Sequence, residues 1–276
     1  MKIAILASEA APYIKTGGLG DVMEALPSAL ARMEGNEVIL MLPYYNKIKY
    51  SSKWNVEYVG QCYVTLGWRR QYAGILKLKG RTDGVQVYFV DNEYYFGGRD
   101  ATIYGHGDDG ERYAYFSRAC LDIMGIMGWI PDVIHCNDWQ TALTPVYLNS
   151  IYRHLFPNTK VMYTIHNIEY QGKYDFAMLG DVFELDESAK RIVEYDGCIN
   201  LMKGAIVSAD IVSTVSKRYA NEICSPEYAH GLDRILRDNS NKLTGILNGI
   251  DYNYYDPSTD NAIATNYTWR SQKKKY

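Results

Sequence analysis

Short apolar segments alternate along the chain with longer segments of helical periodicity. The apolar segments predict β-strands at residues 2–7, 37–42, 132–135, 160–164, 211–215 and 242–247. The intervening segments predict helices at residues 19–33, 110–127, 140–155, 186–208 and 216–223. Strands that alternate with helices are typical of a parallel sheet with crossover helices. The pattern therefore predicts one doubly wound α/β domain, which we assign to residues 1–262.

One region departs from this alternation. Residues 56–90 carry β-type runs that are separated by Gly60, Gly67, Gly74, Gly80 and Gly84, with no helical period between them. We expect a β-hairpin insertion that extends the sheet. Residues 263–276 show no partner element, and we expect them to form a linker toward an absent C-terminal domain.

Composition narrows the class of protein. The chain has 276 residues, 47% of them hydrophobic and 22% charged, which is ordinary for a globular protein. A net charge of −3 does not favour nucleic acid as a partner. The five cysteines are widely spaced and form no CxxC pair, so neither a disulfide framework nor a zinc site is indicated. The first apolar run ends before Glu9, too early for a signal peptide or a membrane span, and we expect a soluble, cytoplasmic protein.

The loop after the first strand carries the clearest chemical signal. Gly17 and Gly18 have no Cβ atoms to keep a phosphate from the backbone N–H groups, and the following helix directs its positive end to the same place. Lys15 adds a full positive charge. The segment is not a Walker A loop, and it lacks the third glycine of a dinucleotide fingerprint. A glycine-rich turn with a solvated lysine is the structural alternative.

Polar and aromatic residues also follow later strands, at the edge where open α/β sheets bind ligands. Asp138 and Trp139 come after one strand; the aspartate can cap a helix, and the indole offers a face for a sugar or for the core. His166 and Asn167 follow the next strand and can hydrogen-bond a hexose hydroxyl, although a structural role is also open. Asn248 precedes a glycine, a pair that favours a tight turn by itself.

Taken together, these motifs resemble those of the glycogen and bacterial starch synthases, and their order and spacing fit that family along nearly the whole chain. The residues that carry the resemblance are Lys15-Thr16-Gly17-Gly18-Leu19-Gly20-Asp21-Val22, His135-Cys136-Asn137-Asp138-Trp139, Thr164-Ile165-His166-Asn167, Tyr170-Gln171-Gly172, Thr214-Val215-Ser216 and Leu247-Asn248-Gly249-Ile250-Asp251. The Lys-Thr-Gly-Gly opening is the most specific of them.

The resemblance implies a retaining glucosyltransferase with the GT-B fold, in which two Rossmann-like domains face each other across a cleft. This chain resembles the first of the two. The implied donor is ADP-glucose and the implied acceptor is an α-1,4-glucan, with no metal and no further cofactor. Basic and acidic groups that the family supplies from its second domain have no counterpart here, so the chain alone is not expected to turn over.

The resemblance also implies roles for individual residues. Lys15 and His166 are the implied catalytic residues, with the ring or the backbone carbonyl of His166 stabilising positive charge at the anomeric carbon. The implied donor site contains Lys15, Gly17, Gly18, Asp21 and Asn248. The implied glucan and glucose site contains Asp138, Trp139, Asn167, Tyr170, Gln171 and Tyr95. Residues 94–99 depart from the family pattern, because one more residue than usual precedes the arginine.

Two kinds of protein compete with this interpretation. One is another GT-B enzyme, such as a sucrose-type synthase or a pyridoxal-dependent phosphorylase; the Lys-Thr-Gly-Gly opening and the missing cofactor lysine disfavour the phosphorylase. The other is a free-standing glucan-binding module. The 26 tyrosines suit such a module, because a phenol ring can both stack on a sugar and hydrogen-bond its rim.

Overall fold

The computed structural model describes residues 1–99, 102–249, 252 and 255–271. The strands are β1 (Lys2–Leu6), β2 (Glu37–Pro43), β3 (Val56–Leu66), β4 (Arg69–Leu78), β5 (Val85–Asp91), β6 (Val133–Asn137), β7 (Lys160–Ile165), β8 (Lys173–Tyr174), β9 (Glu194–Tyr195), β10 (Cys198–Asn200), β11 (Ile211–Thr214) and β12 (Leu243–Gly245). The α-helices are α1 (Gly18–Ala31), α2 (Asn46–Lys49), α3 (Asp109–Ile126), α4 (Leu143–Tyr147), α5 (Met178–Asp181), α6 (Glu187–Val193), α7 (Leu201–Ser208), α8 (Lys217–Glu222) and α9 (Asp233–Asp238).

The main sheet has nine strands in the order β12-β11-β7-β6-β1-β2-β5-β4-β3. All neighbouring pairs from β12 to β5 are parallel, whereas β4 pairs antiparallel with both β5 and β3. The hairpin of β3 and β4 is the insertion that the glycine-separated runs predicted. The prediction of a Rossmann-like, mostly parallel doubly wound sheet with a hairpin is therefore confirmed.

The central strands are buried on both faces, as their unbroken apolar sequences require. Residues 38–42 of β2 are each at most 1% exposed, and residues 4–6 of β1 are fully buried. A strand with both faces covered reads as a continuous apolar run rather than an alternating one. The crossover after β1 leads to one side of β1 and the crossover after β5 leads to the other. Because such crossovers are right-handed, their helices lie on opposite faces of the sheet.

The strand order reverses at β1, and this reversal fixes where a ligand can bind. From β1 the chain moves outward to β2 and to the hairpin of β3 and β4 at the sheet edge, comes back to β5, and then crosses to β6 on the other side of β1. The loops that leave the carboxyl ends of β1 and β6 therefore diverge and open a crevice between them. In open α/β sheets this crevice is the usual binding site.

The single helix predicted for residues 186–208 is wrong. The chain forms α6, then a short antiparallel hairpin of β9 and β10, then α7. Asp196 and Gly197 adopt φ of 51° and 75° in the hairpin turn, a conformation that ends a helix. Each helix also has its own cap, because Asp186 accepts a hydrogen bond from the N–H of Ala189 and Asn200 from that of Lys203.

The helix predicted for residues 140–155 is present but irregular. A 3₁₀ turn at Trp139–Thr141 leads into α4, which continues as a π-helical turn at Leu148–Tyr152. Pro145 has no N–H to donate to the preceding turn, which explains why a regular helix starts only at Leu143.

Candidate functional site

A cleft of about 890 Å³ opens at the carboxyl ends of β1, β6 and β7. Its lining residues come from the loops after these strands, from the segment that leads into α3 and its first residue, and from the segments after β11 and β12. They are Glu9, Thr16, Gly17, Gly18, Leu19, Tyr104, Gly105, Asp109, Asp138, Trp139, Gln140, His166, Asn167, Tyr170, Val215 and Asn248. The three loops that the sequence analysis singled out therefore meet at one cavity.

The glycine loop before α1 is organised around the carboxylate of Glu9. The backbone N–H and the hydroxyl of Thr16 both donate to Glu9 Oε2 at 2.6 Å. The N–H groups of Gly17 and Gly20 donate to Oε1 at 3.2 Å each. Glu9 is only 2% exposed, so this carboxylate is an internal anion at the positive end of the helix.

This arrangement changes which backbone groups of the loop face the cleft. The N–H of Gly17, predicted as a phosphate ligand, is already bonded to Glu9. A Cβ placed on Gly18 would meet no atom within 4 Å, so the backbone at Gly18 borders open space. Of the predicted glycine pair, Gly18 is therefore the one that an incoming ligand can approach closely.

Lys15 lies beside this loop and pairs with Asp21 in the first turn of α1. Their Nζ and Oδ1 atoms are 2.6 Å apart, and the two side chains are 43% and 39% exposed. A Cβ on Gly20 would lie 2.8 Å from Lys15 Cγ, so the glycine makes room for the lysine stem. Neither side chain lines the cleft itself; the ion pair holds the ammonium group on the loop whose next three residues, Thr16, Gly17 and Gly18, do line it.

Asp138 connects the loop after β6 with the loop after β7. Its Oδ1 accepts hydrogen bonds from the N–H groups of His166 and Asn167 at 2.7 and 3.3 Å. The backbone of Asp138 has φ of 54°, which is uncommon for a residue other than glycine. Burial raises the pKa of this carboxyl to about 7 against the opposing effect of the two hydrogen bonds.

His166 is half-buried in the wall of the cleft and is held through its ring. Its Nε2 atom lies 2.9 Å from Oδ1 of Asn137, a fully buried residue at the end of β6. Burial lowers the pKa of His166 to about 3, with a smaller contribution from His135. The imidazole is therefore neutral at physiological pH.

Trp139 forms the floor of the cleft and is fixed by aromatic contacts. Its ring centroid lies 5.3 Å from that of Tyr113, at an interplanar angle of 81°, and 6.3 Å from that of Tyr174. Gly172 adopts φ of 65°, and a Cβ there would lie 2.8 Å from Trp139 Cε3. The Gly172 that follows the predicted Tyr-Gln pair thus makes room for the indole.

The remaining predicted residues in the cleft are at its rim. Asn167 is exposed, and its Oδ1 accepts a hydrogen bond from the N–H of Glu169 at 2.9 Å. Tyr170 is 60% exposed, which leaves its ring available to a ligand. Asn248, after β12, is also exposed, while Ile250 and Asp251 of the same motif lie outside the described residues.

Two residues predicted to contact the glucan are not brought to the cleft. Tyr95 is fully buried, and its hydroxyl donates to Glu111 Oε1 at 2.5 Å. Gln171 is 3% exposed; its amide nitrogen donates to the carbonyl groups of Ile168 and His230, and its oxygen accepts from Asn200. The polar groups of both side chains make internal hydrogen bonds. Contrary to the prediction, neither Tyr95 nor Gln171 presents its side chain to the cleft.

Sequence reasoning gave no site role to several other residues of the cleft, among them Glu9, Tyr104 and Asp109. Glu9 follows the first strand directly, so its place at a strand's carboxyl end was a usable signal. Tyr104, whose hydroxyl lies 2.7 Å from Ser8 Oγ, belongs to a segment without periodicity. Asp109 at the start of α3 accepts a hydrogen bond from the N–H of Gly105 at 2.7 Å, and burial raises its pKa. Tyr104 and Asp109 belong to no sequence motif that could have identified them.

Within the described ranges, no cluster of three or more histidine, cysteine, aspartate or glutamate side chains is arranged to hold a metal ion. The same part of the chain contains no helix that combines the length and the apolar character needed to cross a bilayer.

Comparison with known proteins places the chain in a family. A family model described as the starch synthase catalytic domain matches residues 2–238. A glycogen synthase of Exiguobacterium sibiricum is 45% identical over 273 residues, which cover 97% of this chain and 56% of that protein. A glycogen synthase of Lactobacillus acidophilus is 46% identical over 271 residues, with the same coverage of 97% and 56%.

The solved structures give a matching result. The catalytic domain of starch synthase IV from Arabidopsis thaliana, bound to ADP and acarbose, superposes with a TM-score of 0.86 at 32% identity. The match covers 96% of this chain and 55% of that one. The chain thus spans about half the length of the curated relatives that it matches. By sequence and by fold, this chain belongs to the starch synthase catalytic domain family.

Proposed function

We propose that this chain is the acceptor-side half of a retaining glucosyltransferase that transfers α-D-glucose from ADP-glucose to the non-reducing end of an α-1,4-glucan. The observation that carries the proposal is the convergence of three groups on one cleft. These are the glycine loop at Thr16, Gly17 and Gly18, which Lys15 directly precedes, the carboxyl of Asp138 and the neutral imidazole of His166.

The chemistry of the transfer requires such a combination. Breaking the bond between the anomeric carbon and the diphosphate builds negative charge on the leaving group and positive charge on the sugar. Fixed donors directed at the phosphate stabilise the first charge. The Lys15 ammonium and the backbone at Gly18 are suited to this role, whereas the neutral ring of His166 adds no positive charge beside the sugar.

The relatives support the identity of the ligands. The starch synthase IV domain that this fold matches is bound to ADP and to the oligosaccharide analogue acarbose. By that likeness, we assign the diphosphate to the loop at Lys15, Gly17, Gly18 and Asp21 and to Asn248. We assign the sugar to the side of the cleft that contains Asp138, Trp139, His166, Asn167 and Tyr170. The reaction is proposed to use no metal and no further cofactor.

The proposal includes a second domain. Because the relatives are longer than this chain, we infer that residues 263–276 lead toward a C-terminal GT-B domain, with residues 272–276 outside the described part. That domain would close the cleft and supply the remaining charged groups. Five cysteines that are all free fit the reducing environment of the cytoplasm, where we place the protein.

Isothermal titration with ADP-glucose and, separately, with a maltooligosaccharide tests the proposal. Binding of both ligands by the wild-type chain, and weakened binding of ADP-glucose by Lys15→Ala, are the expected results. Binding of the glucan alone would overturn the transferase and favour a free-standing glucan-binding module. UDP-glucose in place of ADP-glucose tests the choice of base, since preferred binding of the uridine nucleotide would contradict the assigned donor.

A further inference from the structure

The buried side chain of Asn137 has only one possible orientation. Its Nδ2 atom donates to the backbone carbonyl oxygens of Leu6 and His135 at 3.0 and 3.3 Å, and the side chain is fully buried. Rotating the amide by half a turn would place Oδ1 against these two acceptors. Lone pairs would then face lone pairs, and two buried hydrogen bonds would be lost. Strands β1 and β6 therefore fix Oδ1 on the other side.

On that other side, Oδ1 of Asn137 meets Nε2 of His166 at 2.9 Å. An amide oxygen can only accept a hydrogen bond, so Nε2 must carry the hydrogen. Burial keeps the pKa of His166 near 3, and the ring therefore has a single proton at neutral pH. With that proton on Nε2, the second ring nitrogen, Nδ1, is left with a lone pair.

Among the described residues, no other hydrogen bond to the ring of His166 determines its tautomer. The neighbouring buried histidine, His135, has its own partner, because its Nε2 lies 2.6 Å from Thr164 Oγ1, which in turn lies 2.7 Å from Ser213 Oγ. The carboxylate of Asp138 is engaged with the backbone N–H of His166, not with its ring. The ring of His166 is therefore set by Asn137 alone among the hydrogen bonds that the described residues make to it.

We propose that Asn137 is a positioning residue that holds His166 in the Nε2–H tautomer, so that Nδ1 serves the cleft only as a hydrogen-bond acceptor. The matching ligand group is an O–H donor, such as a hydroxyl of a hexose. The assignment of the tautomer depends on the hydrogen bonds described above. Its use in recognising the sugar of a nucleotide-activated hexose rests on the proposed function.

An acceptor at this position makes a specific demand on the ligand. A hydroxyl can donate to Nδ1, whereas fluorine in its place can only accept, and hydrogen can do neither. At one hydroxyl of the glucose, a deoxyfluoro and a deoxy analogue should therefore lose affinity to a similar extent. If His166 were a donor instead, the fluoro analogue would keep part of the interaction.

The tautomer can be measured on the unmodified chain. In a histidine-selective ¹⁵N spectrum, protonated and unprotonated ring nitrogens are well separated, and the signal of His166 is assigned by its loss in His166→Gln. We expect a protonated Nε2 and an unprotonated Nδ1 at neutral pH. An Nδ1–H tautomer, or a doubly protonated ring, would overturn the proposal without any variant of Asn137 having to fold.

Two variants of Asn137 then test its role. In Asn137→Ala we expect the spectrum of His166 to shift toward a mixture of both tautomers, and affinity for ADP-glucose to fall about tenfold with the loss of the fixed acceptor. In Asn137→Asp the oxygen that replaces Nδ2 faces the carbonyl oxygens of Leu6 and His135, so we expect it to carry a proton and donate to them. The other oxygen of this neutral acid still accepts from Nε2–H, so the tautomer should be retained. If the Nε2–H tautomer is retained in Asn137→Asp and lost in Asn137→Ala, then the hydrogen bond accepted from His166, and not packing, fixes the tautomer.

Asn92→Asp is the matched control. Asn92 is 4% exposed and also uses both ends of its amide, donating to the carbonyl of Tyr72 and accepting from the N–H of Tyr95, but it does not contact His166. This variant should leave the ring signals unchanged. An unchanged tautomer in Asn137→Ala would refute the role of Asn137. Failure of the wild-type chain to bind ADP-glucose would instead count against the proposed function, while the spectrum would still decide the tautomer.

Discussion

The carboxylate of Glu9 accepts a hydrogen bond from the backbone N–H of Gly17 at 3.2 Å, so an anion from the protein itself occupies the positive end of α1. In many phosphate-binding folds that place is left for the ligand. Here the internal carboxylate shapes the loop, and the ligand must bind beside it. Under the proposed function, Lys15 is the positively charged side chain that this loop offers to the diphosphate.

The first prediction concerns the stability that Glu9 gives to this loop. In Glu9→Gln, one side-chain oxygen is replaced by an NH₂ group, which would face backbone N–H donors instead of accepting from them. We expect the free energy of unfolding to fall by about 1–3 kcal/mol, the range for buried polar groups that lose their partners. Urea denaturation measures the change. Glu34→Gln, at an exposed position, is the control, and equal stability of the two variants would contradict the organising role of Glu9.

The second prediction separates binding from stability at Lys15. Its ion pair with Asp21 is solvated, and such pairs contribute little to folding. Lys15→Ala should therefore leave the melting temperature nearly unchanged but weaken the binding of ADP-glucose by about tenfold or more, because a charge-assisted contact to phosphate is lost.

Lys160→Ala provides the comparison for Lys15. Lys160 makes an ion pair of 2.9 Å with Asp210 and is 70% exposed, but it begins β7 and so lies at the opposite edge of the sheet. Titration calorimetry should show that Lys160→Ala binds ADP-glucose with the affinity of the wild type. The assignment of Lys15 to the donor site would fail if the two variants bound ADP-glucose equally well.

The third prediction follows from the raised pKa of Asp138. In the folded chain this pKa is about 7, whereas an unfolded aspartate titrates near 4. Between these values the folded state binds more protons than the unfolded state. The contribution of Asp138 to the free energy of unfolding therefore falls as pH rises from about 4 to about 7, and it is constant above that range.

Asp138→Asn should remove this dependence, because the amide stays uncharged while its oxygen can still accept from the N–H of His166. The gain in stability of the variant over the wild type is expected to grow with pH across this window. His135 and His166 are present in both proteins, so their own titration cancels in the difference. Asp175→Asn, at an exposed aspartate that accepts the N–H of Ala177, is the control variant for the substitution itself. A pH-independent difference for Asp138→Asn would rule out the raised pKa.

The outline of the site could be predicted because it follows from strand ends. Glycine, histidine and aspartate after apolar strands are visible in a sequence, and parallel strands bring their carboxyl ends to one edge. The side-chain orientations could not be predicted in this way. Tyr95 and its neighbour Tyr94 are both tyrosines after β5, yet the first is fully buried and the second is 64% exposed. A π-helical turn at Glu93–Gly97 decides between them, and no periodicity signals it.

The fold, too, could be predicted only where the sequence carries a local signal. The hairpin of β3 and β4 was predicted because its glycines and alternating residues are local signals. The break between α6 and α7 was missed because both helices have similar periodicity, and the chain turns only through the positive φ of Asp196 and Gly197. Hydrogen-bonded caps at Asp186 and Asn200 were the local signals available, and each type of residue is also common inside loops.

The last prediction concerns the tip of the β3–β4 hairpin, where Gly67 contacts the C-terminal end of α5. Gly67 has φ of 60°, and a Cβ there would lie 2.3 Å from the carbonyl oxygen of Asp181. The tip is held by hydrogen bonds of 2.9 Å from the N–H of Gly67 to Glu184 and from the indole of Trp68 to Asp181. Gly67→Ala should therefore both strain the backbone and push the hairpin away from α5.

Gly80→Ala separates these two effects. Gly80 has φ of 84°, but a Cβ there would meet no atom within 4 Å, so only the backbone strain of about 1–2 kcal/mol applies. We expect Gly67→Ala to lose about 1–3 kcal/mol more than this control, the range for overpacked positions. Urea denaturation of both variants gives the difference, and hydrogen exchange should show faster opening of β3 and β4 in Gly67→Ala alone. Equal losses would mean that the tip can move from α5 without cost, and the hairpin would then not depend on that contact.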